Sequence, residues 1–172
     1  QNQIEALLRF SAAAFEARRL NRSDTDLRQL LHLLVEEQRL QWQARHLTIE
    51  LDGDAPKLAV DADKLSAALG NLLSNSIRFS PVGGTLAIAL SSHKGTVRID
   101  LRDQGPGVAP ADRDRIFEPF FRGEVQPDDA VRGTGIGLSI VREYVQAHGG
   151  RVDLLPAGQG AHFRIELPHA ND

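Results

Sequence analysis

The sequence predicts an α+β fold: a mixed, mostly antiparallel sheet with helices packed on one face, plus a helical stub at the N-terminus. Four segments that alternate apolar and polar residues form two neighbouring pairs, 85–92 with 96–103 and 151–155 with 161–167. Each pair is joined by a short polar connection, which is typical of a β-hairpin. Longer segments with apolar residues at helical spacing surround these pairs, and 63–79 is the clearest of them.

Length and composition limit the classes of protein that fit. The 172 residues suggest one domain with an extra element, and a hydrophobic content of 41% is enough for a core. The net charge of -3 gives no reason to expect nucleic-acid binding. The absence of cysteine excludes disulfides and thiolate metal sites. No apolar run is long enough to span a membrane, and we expect no signal peptide at the start of the sequence. Because the chain starts at Gln1 and contains no methionine, we expect a fragment of a longer protein.

The N-terminal 20 residues predict a short amphipathic helix. Its apolar stripe covers only about two turns, so the helix needs a partner in water. The stripe consists of Ile4, Leu7, Leu8, Ala14 and Phe15. Residues 21–26 are rich in turn-forming and capping side chains and predict a turn before the next helix.

A second amphipathic helix follows this turn. Its apolar face is formed by Leu27, Leu30, Leu31 and Leu34. Residues 47–51 alternate as a strand, residues 53–56 interrupt it, and residues 57–60 predict another short strand.

The second half of the chain continues with shorter elements. Residues 111–117 predict a short helix that leads into a phenylalanine-rich stretch, 117–121. Residues 122–133 are polar, contain a proline and predict a mobile loop. Residues 136–148 predict a helix that ends at a Gly-Gly pair, a usual stop signal.

The predicted helix 63–79 has an apolar side and an unusual polar side. The apolar side consists of Leu65, Ala68, Leu69, Leu72, Leu73 and Ser76. The polar side carries Asn71, Asn75 and Arg78, which fall within about 60° of one another at about 100° per residue. Amide oxygens and a guanidinium on one face suit a hydrated Mg²⁺ with phosphate oxygens. The alternative is a solvated face with local caps.

Two glycine-containing turns also indicate a ligand site. Asp103 ends a strand, where its carboxylate is placed to accept a hydrogen bond from an amino group such as adenine N6. Gly105 and Gly107 would let a flat ligand approach the backbone. Asp is equally favoured in a plain turn.

Three alternating glycines, Gly133, Gly135 and Gly137, precede the helix 136–148. The free N–H groups of a helix start attract phosphate, although a flexible turn would use the same residues. The stretch matches neither a P-loop nor a dinucleotide fingerprint. The phenylalanines of 117–121 indicate core packing or an anchor for a lid.

The order of these pieces is more specific than any one of them. Residues 71–80, 103–108, 117–121 and 133–140 resemble the N, G1, F and G2 boxes of bacterial sensor histidine kinases. The resemblance covers about residues 26–168. It implies a Bergerat-type ATP-binding fold, shared with gyrase, MutL and Hsp90, in which the glycine-rich segment meets the nucleotide phosphates.

The resemblance implies ATP and Mg²⁺ as cofactors and assigns roles by position. Asn75 matches the Mg²⁺ ligand, Asn71 its partner one turn earlier, Arg78 the residue facing the phosphates, and Asp103 the carboxylate that reads the adenine amino group. A lid over the nucleotide is expected at about 122–136. The catalytic group is Asn71, Asn75 and Arg78. The ATP-binding set is Asn71, Asn75, Arg78, Phe79, Asp103, Gly105, Gly107, Val108, Arg132, Gly133, Thr134, Gly135, Ile136, Gly137 and Leu138.

Three positions depart from the family pattern. Ser76 stands where Ala is common, and Phe79 stands where Tyr is common. Ala161 follows Gly160 where a Thr or Ser often lies near the adenine, so one water-mediated contact is expected to be lost. None of these changes affects the residues expected to hold Mg²⁺ or phosphate.

The family transfers the γ-phosphoryl of ATP to a histidine on a helical hairpin, and none of the six histidines here has that setting. We therefore expect residues 1–22 to be the end of a dimerisation and phosphoacceptor domain, 23–26 a linker, and 27–169 the catalytic domain. The expected partners are the upstream acceptor domain of the same homodimeric protein and a response regulator, with no nucleic acid and no membrane contact by this segment. The expected location is the cytoplasmic part of a receptor anchored in the inner membrane.

Two other classes of function remain open. A gyrase-, MutL- or Hsp90-like ATP hydrolase would place a Glu where this chain has Asn71, so hydrolysis is expected to be slow; a serine kinase of the anti-sigma-factor type is a related alternative. A non-catalytic ATP-binding docking module is the other class.

Overall fold

The computed structural model describes residues 19–118 and 137–169. Its helices are α1 (Leu27–Glu37), α2 (Arg39–Ala44), α3 (Ala62–Phe79) and α4 (Gly137–Ala147). Its strands are β1 (Ser23–Thr25), β2 (Thr48–Gly53), β3 (Leu58–Val60), β4 (Thr85–His93), β5 (Thr96–Arg102), β6 (Arg151–Leu155) and β7 (His162–Pro168), and a 3-10 turn spans Pro110–Asp112.

Five strands form one mixed sheet in the order β2-β4-β5-β7-β6. Only the edge pair β2–β4 is parallel, and the other three pairs are antiparallel. Both predicted hairpins are confirmed. In the β4–β5 hairpin, Lys94 and Gly95 have φ values of 46° and 79°, and two central residues with positive φ are what the tightest hairpin turn requires.

The core lies between one face of this sheet and the helices. Alternate residues of the three central strands point into it and are almost fully buried: Leu86, Ile88, Leu90, Val97, Ile99, Leu101, Phe163, Ile165 and Leu167. The apolar side predicted for α3 is buried throughout, together with Ile77. Helices α3 and α4 pack on each other, and the predicted α+β layer arrangement is confirmed.

Residues 23–25 are a strand, although the sequence predicted a turn there. They pair antiparallel with β3, with Ser23 opposite Val60. Local turn propensity is overridden because a partner strand, remote in sequence, supplies the backbone hydrogen bonds. The capping part of the prediction is correct, since the side chain of Asp26 accepts from the Gln29 N–H at the start of α1.

The helix predicted at 111–117 is much shorter in the structure. Only Pro110–Asp112 form a regular 3-10 turn, and the following backbone bonds, such as Arg115 N–H to Asp112 O at 2.9 Å, also span three residues. Arg113 donates to the carbonyl of Leu154 on β6, and Phe117 lies edge-on to Phe163. Residues 110–118 are therefore held against the sheet in a series of three-residue turns rather than in an α-helix.

Of the remaining predicted elements, one helix lies within the described residues and the others lie outside them. The helix predicted at 136–148 is α4, and it ends where Gly149 adopts a φ of 76°. The N-terminal helix, the polar loop at 122–133 and most of the stretch 117–121 lie outside the described residues. Within the described ranges, no helix has the length and apolar content needed to cross a membrane.

Candidate functional site

Asp103 lies at the end of β5 with only 5% of its surface exposed. Its Oδ1 accepts from the backbone N–H groups of Gly105 (2.9 Å) and Ala161 (3.1 Å). Its own N–H donates to the carbonyl of Ala161 at 3.0 Å. Among the described residues nothing donates to Oδ2, so one carboxylate oxygen remains available as an acceptor.

The charge of Asp103 is held in an unfavourable environment. Burial raises the pKa of this carboxyl group, and the hydrogen bonds from Gly105 and Ala161 oppose that rise only in part. A donor that reaches Oδ2 would stabilise the charged form of this carboxylate, because hydrogen bonds to a charged group are strong. The arrangement can therefore recognise an N–H donor such as an amino group.

The glycines around Asp103 lie at close contacts between backbone segments. A Cβ on Gly105 would lie 2.2 Å from the carbonyl oxygen of Phe79, and a Cβ on Gly107 would lie 2.9 Å from that of Gly160. A Cβ on Gly160 would lie 2.0 Å from the carbonyl oxygen of Asp103. The glycines thus allow three chain segments to approach one another. The predicted role of Gly105 and Gly107 beside a nucleotide base stays a prediction, and Gly160 is a further residue of this junction that the sequence did not predict as part of the site.

The polar side chains of helix α3 lie next to the place where the backbone at Gly105 contacts the end of this helix. It ends at Phe79, whose carbonyl abuts Gly105. Asn75, Arg78 and Phe79 are half-buried, and the guanidinium carbon of Arg78 lies 5.9 Å from the centre of the Phe79 ring. Arg78 Nε is buried and has no hydrogen-bond partner among the described residues. A cationic donor in that state favours an anionic acceptor such as phosphate.

Asn71 is in a different setting from the other polar residues of α3. It is exposed and, with Ser74 and Gly70, lines a groove of about 600 Å³ between α1 and α3. Asn75, Arg78 and Asp103 do not line that groove. The pairing of Asn71 with Asn75 in one site therefore stays a prediction.

Gly137 and Leu138 begin α4 and are half-buried, as are Gly107 and Val108. A Cβ on Gly137 would have no atom of the described residues within 4 Å. The other predicted members of the glycine-rich segment, Arg132, Gly133, Thr134, Gly135 and Ile136, lie outside the described residues, as does the predicted lid at 122–136.

No group of three or more His, Cys, Asp or Glu side chains gathers as a metal site within residues 19–118 and 137–169. A divalent cation held there would depend on amide, backbone or ligand oxygens. Asn75 is the predicted residue that could supply one.

The sequence and the fold are similar to those of known proteins. Residues 60–171 match the family described as histidine kinase-, DNA gyrase B-, and HSP90-like ATPase. The adaptive-response sensory kinase SasA of Synechococcus elongatus is 33% identical over 98% of this chain and 44% of its own length. The sensor-like histidine kinase SenX3 of Mycobacterium tuberculosis is 31% identical over 97% of this chain and 41% of its own length.

Solved structures agree with these relatives. Full-length ShkA in complex with AMPPNP is 30% identical with a TM-score of 0.83, over 98% of this chain and 35% of that one. The mycobacterial sensor histidine kinase MprB is 29% identical with a TM-score of 0.75, over 85% of this chain and 97% of that one. The chain spans less than half the length of the curated relatives named above.

Proposed function

The chain belongs to the family of histidine kinase-, DNA gyrase B-, and HSP90-like ATPases, and we propose that it is the part of a sensor histidine kinase that binds Mg²⁺-ATP and donates its γ-phosphoryl group. Its relatives named above are sensor kinases, and one structural neighbour binds AMPPNP. The observation that carries the proposal is the buried carboxylate of Asp103, whose Oδ2 has no donor among the described residues.

Asp103 would select the base. Its Oδ2 would accept from the amino group of adenine, while Oδ1 stays fixed by two backbone N–H groups. Guanine carries a carbonyl oxygen at the corresponding position, so two acceptors would face each other at a cost of about 1–3 kcal/mol. Selectivity for ATP over GTP follows from this mismatch.

Arg78 and Asn75 would hold the phosphates and the metal. Arg78 has a buried Nε without a described partner, which suits a phosphate oxygen. Asn75 would supply an amide oxygen to Mg²⁺, a cation that keeps waters and nucleotide phosphates as its other ligands. When bound, Mg²⁺ neutralises charge on the phosphates.

Positioning is the main contribution that these residues would make to catalysis. Phosphoryl transfer breaks the bond between the γ-phosphorus and its bridging oxygen and forms a bond to the attacking nitrogen, and it depends mainly on alignment and charge stabilisation. The N-terminus of α4 would supply a positive dipole end for the phosphates. The glycine-rich segment before it would supply backbone N–H groups.

The phosphoacceptor and the partners of this domain would lie outside the catalytic segment. We propose that the phosphoacceptor histidine belongs to an upstream dimerisation domain, with residues 1–22 its last part and 23–26 the linker to the catalytic domain 27–169. A structural neighbour at 20% identity, the histidine kinase ThkA, was solved in complex with a response regulator. A response regulator as partner, a cytoplasmic location and an anchor in the inner membrane are parts of the same proposal.

Nucleotide titration of the wild type, Asp103→Asn and Asn75→Ala tests this function. We expect the wild type to prefer ATP over GTP and Asp103→Asn to lose at least about tenfold in ATP affinity, since an amide NH₂ then faces the adenine amino group. In Asn75→Ala, the affinities with and without Mg²⁺ should converge.

Three results would contradict the proposal. One is equal binding of GTP and ATP by the wild type, and another is an Asp103→Asn variant with unchanged ATP affinity. The third is an undiminished effect of Mg²⁺ in Asn75→Ala, which would remove the metal assignment alone. Circular dichroism of each variant controls for folding.

ATP hydrolysis without an acceptor is the competing activity within the family. A hydrolase needs a base to activate water, and the exposed amide of Asn71 is not one. We therefore expect slow hydrolysis. Full-length protein incubated with labelled ATP separates a kinase, which gains acid-labile label on a histidine, from a docking module, which gains none.

A further inference from the structure

A buried polar cluster lies at the opposite ends of the two helices that carry the candidate site. Asp61 precedes α3, His148 follows α4, and both are about 95% buried. The N–H of Asp61 donates to His148 Nε2 at 3.0 Å. Asp61 Oδ1 accepts from the Lys64 N–H at 3.1 Å and caps α3. The cluster therefore joins the start of α3 to the end of α4.

The partners of His148 fix its protonation state. A backbone N–H can only donate, so Nε2 must accept from Asp61. A backbone carbonyl can only accept, so Nδ1 must carry the proton that it donates to Tyr144 O at 2.8 Å. The imidazole is therefore neutral, and a proton added at Nε2 would face the N–H of Asp61.

The charged and polar groups around His148 also favour the neutral ring. Burial lowers the pKa of His148 most strongly, the hydrogen bond with Tyr144 opposes this, and the positive charges of Arg22 and Lys64 lower the pKa further. The negative charge of Asp61 raises it. The net direction is downward, so the neutral ring is retained at neutral pH.

The same cluster holds the chain segment that enters this domain, residues 19–22. Asp61 Oδ2 accepts from the Asn21 N–H at 2.9 Å. Lys64 Nζ donates to the carbonyl of Arg19 at 3.0 Å, and Arg22 donates to the carbonyl of Ala59 at 2.7 Å. The entering segment is thus bound to the same residues that cap α3 and contact α4.

These contacts connect the entering segment to the candidate site through rigid helices. Asn75 lies about 20 Å along α3 from Asp61, and Gly137 lies about 16 Å along α4 from His148, at 1.5 Å per residue. Displacing the shared ends would change how the two helices sit against each other, and with them Asn75, Arg78 and the start of α4.

We propose that Asp61, Lys64 and His148 form a clamp that fastens residues 19–22 to both helices of the site, that His148 is the positioning residue of this clamp, and that the clamp holds only while His148 is neutral. The part concerning the site rests on the proposed nucleotide-binding function. The part concerning residues 19–22 does not.

Amide exchange resolved by NMR on the nucleotide-free 172-residue chain tests the clamp directly. Protection of the Asp61 and Asn21 amides should fall about five- to tenfold between a pH above and a pH below the protonation of the His148 ring, which is followed in the same spectra, because one hydrogen bond with its network is lost. His148→Gln keeps an acceptor that does not titrate, so its protection should stay high at both pH values. His148→Phe keeps the ring shape without an acceptor and should be unprotected at both.

The exposed residue His32 on α1 provides a matched control, since His32→Gln should behave as the wild type. Wild-type protection at these two amides that does not change while the His148 ring becomes protonated would overturn the requirement for a neutral ring. Full protection in a folded His148→Phe variant would overturn the clamp. Should that variant not fold, the wild-type pH series and His148→Gln still decide the question.

Affinity for Mg²⁺-ATP tests the connection to the site. We expect a loss of about tenfold in His148→Phe and near wild-type affinity in His148→Gln, since only the acceptor is needed. Unchanged affinity in a variant with lost amide protection would overturn the connection. Absence of nucleotide binding by the wild type would overturn the proposed function instead and leave the amide-exchange result on the clamp intact.

Discussion

At the scale of single residues, the candidate site consists of polar atoms held without full partners. Asp103 offers Oδ2 and Arg78 offers Nε, and both groups lie on segments that meet where Gly105 abuts Phe79. The buried, unpaired Nε of Arg78 costs stability in the free chain, and both groups would gain a partner in a complex. Sites of this kind exchange stability for binding.

Asp103→Asn should reveal this exchange as a pH-dependent change in stability. The raised pKa of Asp103 means that its contribution to stability is fully present below its unfolded value of about 3.9 and is lost as pH rises through the folded pKa. As pH rises from about 4 to about 7, the free energy of unfolding of the variant should therefore rise relative to that of the wild type by about 1 kcal/mol. Urea unfolding of both proteins across this range measures the difference. A variant that loses stability relative to the wild type over this pH range would contradict the burial argument.

Ser76→Ala should stabilise the protein by about 1 kcal/mol. Ser76 Oγ is fully buried in α3 and has no hydrogen-bond partner among the described residues. Alanine removes the unpaired hydroxyl and has the higher helix propensity.

Ser80→Ala is the matched control for this substitution. Its buried hydroxyl donates to the Ser76 carbonyl at 2.8 Å, so its removal should destabilise the protein by about 1 kcal/mol. Both free energies of unfolding come from the same urea titration. A destabilised Ser76→Ala would show that the hydroxyl has a partner.

At the scale of elements, the site depends on how closely three backbone segments approach. The turn after β5, the end of α3 and the start of β7 meet around Asp103 through Gly105, Gly107 and Gly160. Only residues without a Cβ allow such contacts. The geometry of Asp103 is thus a property of the junction rather than of its own strand.

Gly160→Ala should destabilise the chain by about 2 kcal/mol or more. The new Cβ would lie 2.0 Å from the Asp103 carbonyl oxygen, and the backbone has a φ of 74°, so both a clash and conformational strain result. Gly158→Ala in the same connection is the control, because its Cβ would have no atom of the described residues within 4 Å. Thermal unfolding of both variants measures the effect, and equal stabilities would contradict the junction as described.

At the scale of the whole molecule, the sheet and helices α3 and α4 form one packed unit. The candidate site lies at one end of the two helices and the clamp lies at the other. The core is continuous from β4 to β7, so the site and the clamp are held by the same packing. In the proposed function, this domain would donate the phosphoryl group and another segment would deliver the acceptor.

The 172-residue chain should therefore bind ATP without phosphorylating itself, since none of its six histidines resembles an acceptor. A separately supplied phosphoacceptor domain should restore weak labelling, because the donor site needs only proximity to its target. Labelled ATP followed by acid treatment distinguishes phosphohistidine from stable phosphoesters. Acid-labile label on this chain alone would refute this division of roles.

Sequence reasoning succeeded wherever a local pattern decides the outcome. The two hairpins, the helix with Leu65 to Ser76 on its buried side and the stop of α4 were predicted because period and turn chemistry are written within each segment. The family was predicted from four motifs in order and confirmed by the match over 60–171. The assignments of Asn75, Arg78 and Asp103 as binding residues follow from the same motifs and stay predictions.

The tertiary structure decided what depends on residues remote in sequence. Ser23–Thr25 became a strand because β3 offers it an edge. Gly105 and Gly160 are glycines because of the backbone carbonyls that lie against them, and those carbonyls belong to other segments. The sequence indicated that His148 marks a helix end, but its neutral ring depends on the Asp61 N–H, which is 87 residues away. Hydrogen bonds and close contacts across such separations carry no local signature, so only the folded chain determines them.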